Sequence, residues 1–106
     1  MRESGTVTPD RKLVGDVVDA LLDRQALNRV QFAKQNGMSR PTLYRAIAGD
    51  ASVTQRVLRR LESGLSLPYD TLTYVSLHDW ESLEEVGVPA DLVRWIQRRA
   101  ESTTEG

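Results

Sequence analysis

The stretch that decides the fold is residues 29–49, RVQFAKQNGMSRPTLYRAIAG. Asn28, immediately before it, is a helix N-cap residue, and Gln31 three positions on completes a variant of the capping box. Leu27 and Phe32 bracket that cap as a hydrophobic staple. Gly37 stops this first helix by taking the left-handed conformation at its C-terminal end. Ser39 then caps a second helix, with Met38 and Leu43 as its staple. Pro41 lies in the first turn, where a missing N–H costs nothing. Leu43 and Ile47 face inward until Gly49 ends the run.

The spacing within this segment has a physical logic. Ala33 is small because the next helix crosses close over it, Gly37 supplies the positive φ of a sharp turn, and Met38 and Leu43 fill the wedge between the two helices. Two short helices so joined form a helix-turn-helix, whose second helix presents its N-terminal residues to base edges in the major groove.

Outward from this core the pattern stays helical. Leu13, Val17 and Leu21 recur at i, i+4 and i+8, predicting an amphipathic helix over residues 10–24. Ser52 with Gln55 predicts the start of a fourth helix burying Val53, Val57, Leu58 and Leu61. Pro68 with Asp70 predicts a fifth, and Pro89 with Asp91 the last, each with a carboxylate at a positive helix end. No segment alternates as a strand does. The expected fold is all-α, a compact bundle of five to six helices. The expected organisation is a flexible arm at 1–9, a DNA-binding domain at 10–76, a C-terminal helical extension at 77–101 and a disordered tail at 102–106.

Composition narrows the chemistry. The chain has 106 residues, 40% hydrophobic and 27% charged, which suits one globular domain. It has no cysteine and one histidine, leaving no disulfide, thiolate metal site or cysteine nucleophile. His78 has no second ligand at metal spacing, and Asp79, Glu81, Glu84 and Glu85 read as a solvated acidic face rather than paired catalytic carboxylates. No enzyme activity and no cofactor are expected. No apolar run approaches the ~18–20 residues of a membrane span, and MRESGTVTPDRK lacks a signal peptide's apolar core, so the expected location is cytoplasmic.

The net charge of −1 conceals a dipole. Residues 29–60 carry seven basic side chains against Asp50 alone, a local +6, whereas residues 61–106 carry three arginines against nine carboxylates, a local −6. A positive block of that density attracts an anionic polymer regardless of the total.

On the spacing of Ala33, Gly37, Met38, Leu43 and Ile47, residues 10–76 resemble the phage-repressor-like (XRE/Cro) family. SRPTLYRA (39–46) is also similar to the DNA-binding ends of recombinases and tetracycline-repressor-like proteins, but the 57 residues after Gly49 suit the repressor-like plan better. The chain departs from that family's habits at Arg29, Asn36 and Ala46, where glutamine, an aliphatic residue and a larger apolar residue are common. The resemblance implies a lambda-repressor-like domain that binds double-stranded DNA and regulates transcription, as a repressor in the first instance.

Helix geometry from Ser39 turns Arg40, Pro41, Tyr44 and Arg45 away from the Leu43/Ile47 face. Arg40, Pro41, Thr42, Tyr44 and Arg45 are therefore the candidate base-reading residues, the arginines through guanine O6 and N7. Arg29, Gln31, Ser39 and Arg59 are candidate phosphate contacts. Trp80, Leu92, Trp95 and Ile96 form an aromatic and aliphatic set that suits a homodimer interface, and a two-fold pair would read two half-sites. The alternative function is an antitoxin or protein-interaction module that engages a protein partner through the acidic C-terminal third.

Overall fold

In the computed structural model, residues 8–104 are described; residues 1–7 of the proposed arm and the final two residues of the proposed tail lie outside them. The described chain is all-helical, with no strand. It comprises α1 (Arg11–Arg24), α2 (Arg29–Gln35), α3 (Arg40–Ile47), α4 (Gln55–Gly64), α5 (Thr71–Ser76), α6 (Trp80–Glu85) and α7 (Ala90–Thr104). That is seven helices rather than five or six. The additional one is α6, whose Asp79 cap accepts from the Ser82 backbone N–H at 3.2 Å and from its hydroxyl at 2.7 Å.

Two starts differ from expectation. Asp50 accepts from the Ser52 N–H at 2.8 Å, which spends residues 50–53 on a turn and moves the α4 cap from Ser52 to Thr54. Pro68 and Tyr69 also remain in a turn, and α5 begins only at Thr71. Asp70, at φ 71°, makes no side-chain cap of its own. Glu62 on α4 substitutes for it, accepting the N–H groups of Asp70 at 3.1 Å and Leu72 at 2.8 Å. At the other end, α7 continues through Thr104, across positions expected to fray.

Helices α1 to α6 all end alike. A left-handed residue follows each: Ala26, Gly37, Gly49, Ser66, His78 and Gly87. In every case the next amide bonds back to a carbonyl five residues earlier, as in Leu27 N to Leu22 O and Met38 N to Ala33 O. This is the Schellman closure, and the following Leu27, Met38, Leu67 and Val88 fold their side chains back toward the bundle.

α1 is the central strut. It packs against α3, α5 and α7, and its Leu13, Val14, Val17, Val18 and Leu22 are almost completely buried. A single apolar cluster runs from Leu13 to Ala100 and includes Val93 and Ile96 of α7. The C-terminal helices therefore share the core of the N-terminal ones. α1 and α3 meet at Gly15, where an added Cβ would lie 2.1 Å from the Ile47 carbonyl oxygen and 2.7 Å from that of Ala46. The small Ala46 belongs to the same close crossing, being 4% exposed beside backbone rather than filling space with its own bulk.

Candidate nucleic-acid interface

The local sequence sets α3 apart from the bundle surface. Leu43, at 0% exposure, and Ala46 anchor one side of the helix in the core. Arg40, Pro41, Tyr44 and Arg45 occupy the other side, all exposed, with Tyr44 showing 47% of its surface. Among the described residues the Arg40 side chain has no hydrogen bond or ion pair. Arg45 sits close enough to Asp50 to help hold its carboxyl below the ordinary range, although the chief cause is the Ser52 N–H that the carboxylate accepts.

Thr42 is half-buried and tied to its own helix start. Its N–H donates to Ser39 Oγ at 3.2 Å, and the two hydroxyls lie 2.8 Å apart. The Ser39 hydroxyl is thus already engaged as the helix cap. Both hydroxyls belong to the pre-organisation of α3 as much as to its surface.

The three remaining phosphate candidates separate into different environments. Gln31 is exposed on α2, its backbone N–H held by Asn28. Arg29 is turned back onto α1, where it donates to Asp19 and, at 3.1 Å, to Asp23. Arg59 pairs with Asp70 at 3.3 Å and lies 3.9 Å above the Tyr69 ring. Lys34 and Arg56 are exposed cations on α2 and α4, without an ion pair among the described residues.

Two further residues, Arg60 and Gly15, govern the site from behind. Arg60 donates to the Gly37 carbonyl at 2.6 Å and to that of Asn36 at 3.4 Å, so α4 braces the turn between α2 and α3. Asn36 caps the end of α2 through Phe32 O at 2.8 Å and lies where a Cβ on Gly64 would come within 2.6 Å of it. The polar Asn36 is thus seated against α4 at Gly64. Gly15 is the second hidden determinant. Its only sequence signal was a glycine in mid-helix, which costs about 1 kcal/mol unless a close approach requires it.

Of the four proposed dimer residues, Ile96 is 1% exposed and belongs to the monomer core. Trp80, Leu92 and Trp95 are partly buried against that core. His78 Nε2 lies 2.8 Å from Asp10 Oδ2, and its ring stacks on Trp80 with centroids 5.1 Å apart. No group of three or more His, Cys, Asp or Glu side chains able to hold a metal occurs among the described residues. No helix among them is long and apolar enough to cross a membrane. Comparison with protein-family profiles, curated proteins and solved structures finds no match for this chain.

Proposed function

We propose that α2 and α3 constitute a helix-turn-helix and that the protein is a sequence-specific double-stranded DNA-binding regulator of transcription, acting as a repressor by occupying its operator. The observation that supports this most is the division of α3: Leu43 and Ala46 hold the helix to the core, while Arg40, Pro41, Tyr44 and Arg45 stand exposed on its outer side. In this reading α3 enters the major groove. Arg40, nearest the helix N-terminus, forks onto guanine, and Pro41 and Tyr44 offer apolar edges to thymine methyls. Arg45 works at the C-terminal end of the same face.

Phosphate contacts fall to the exposed Gln31 and Lys34 of α2 and Arg56 of α4, the helices before and after α3 in the chain. The exposed Glu81, Glu84 and Glu85 of α6 repel the duplex and so orient the molecule on it. A homodimer would place two α3 helices on half-sites about 34 Å apart. Selection of bound duplexes from a randomised pool, repeated at two salt concentrations, tests this proposal. A recovered consensus, with affinity that falls as salt rises, supports it; binding indifferent to sequence contradicts it.

A further inference from the structure

The groove between α1 and α7, away from α3, has a composition that the DNA-binding reading does not use. Trp95 is half-buried along it, with the Arg24 guanidinium 5.5 Å and that of Arg99 5.0 Å from the indole centroid. Arg99 grips Asp16 across the groove through two hydrogen bonds, at 2.5 and 3.0 Å. Arg98 and Ser102 complete the wall of a cavity of about 370 Å³. Ligand sites commonly start at about 300 Å³.

The charge balance indicates what would fit. Arg98 and Arg99 line the cavity against the Asp16 carboxylate, which is committed to Arg99; Arg24 adds a guanidinium over the indole, and Asp19 lies within electrostatic reach of Arg99. Arg24 and Arg98 are exposed and make no ion pair among the described residues. Spare guanidinium groups beside an indole suit a planar organic anion, whose carboxylate takes a forked hydrogen bond while its ring packs against tryptophan.

We propose that the α1–α7 groove is a binding site for a small aromatic carboxylate, held by Arg98 and Arg24 against Trp95. The site is mechanically connected to α3. Asp16 forms one wall of the groove, and its neighbour Gly15 is the residue on which the Ala46 and Ile47 carbonyls rest. A ligand that tightens the α1–α7 clamp therefore bears on the α1–α3 crossing. This inference goes beyond the DNA-binding reading and is tested without DNA.

The test is an NMR titration of the full chain with benzoate, run beside inorganic phosphate and cyclohexanecarboxylate. The expected result is saturable movement of the Trp95 indole N–H and of the Arg98 and Ser102 amides, with smaller movement at Ala46 and Ile47. Benzoate should bind more tightly than the two controls. Arg98→Ala and Arg24→Ala should each weaken benzoate about tenfold while the spectrum otherwise keeps its dispersion. Absence of saturation, equal binding of phosphate or cyclohexanecarboxylate, or benzoate affinity unchanged in both variants would overturn the proposal. So would Trp95 shifts that follow protein concentration without ligand, since a second copy would then be what fills the groove.

Discussion

Arg60 Nη1 donates to the carbonyl oxygen of Gly37 at 2.6 Å, so a cation on α4 holds the residue at which the chain turns from α2 into α3. Gly37 is at φ 69°, and a Cβ there would lie 2.3 Å from that nitrogen. A side chain at position 37 would strain the left-handed turn and push the Arg60 guanidinium off its carbonyl. Arg60→Ala should lower stability by about 1 kcal/mol, because the contact is exposed and the freed carbonyl regains water. Amide exchange at Met38 and Ser39 should quicken beyond that global loss, and Arg60→Lys should recover part of the protection. Urea denaturation and hydrogen exchange read the two effects separately.

Gly15→Ala sets two opposing terms against each other. Helix propensity favours alanine by about 1 kcal/mol. Overpacking against the Ile47 and Ala46 carbonyls, which are backbone and yield little, costs about 3 kcal/mol. The variant should therefore melt at a lower temperature than the parent. A higher melting temperature, as propensity alone predicts, would show that the α1–α3 crossing is looser than described.

Arg29 distinguishes an internal tie from a phosphate contact. Its guanidinium is shared between Asp19 and Asp23 on α1, with a further bond to the Asp19 carbonyl at 3.2 Å. Arg29→Ala should cost about 1 kcal/mol of stability, the upper range for a partly exposed pair. The salt dependence of DNA binding should stay unchanged, whereas loss of a phosphate contact would reduce its slope by about 0.9.

Glu62 gives the fold a pH dependence with a defined sign. Burial raises its carboxyl above the ordinary range, while the Leu72 and Asp70 N–H groups pull in the opposite direction without cancelling it. A raised folded-state value means that the folded protein binds the proton more tightly than the unfolded chain. The stabilising contribution is then complete below the unfolded value and is lost as pH rises through the folded one. Between those two values the parent should lose stability with rising pH relative to Glu62→Gln, which cannot titrate there. Urea midpoints of both proteins from acid to neutral pH measure the difference.

What could be read from sequence follows the chemistry of helix ends. Asn28, Ser39 and Gly37 carry their signals in their own side chains, or in the lack of one, and α2 and α3 begin and end where those residues place them. Ala26, Ser66 and His78 take left-handed turns at residue types that give no such signal, each costing on the order of 1 kcal/mol that surrounding packing must offset. The start of α5 was unreadable for another reason: its cap is Glu62, eight residues upstream of Asp70 and on a different helix. α6 was hidden by its acidic composition, with Leu83 as its only buried residue. Around α3 the exposed arginines were apparent from helical phase. Their supports, Gly15 and Arg60, act through contacts 31 or 32 and 23 residues away in sequence, which periodicity does not register.

The most direct test of the account is the affinity of Arg40→Ala for the duplex recovered by selection, measured against the parent at one fixed salt concentration. The account predicts a loss of about 1–3 kcal/mol, roughly 5- to 150-fold, accompanied by relaxed discrimination at one guanine. Unchanged affinity and an unchanged consensus would contradict it, because α3 would then not be the helix in the groove.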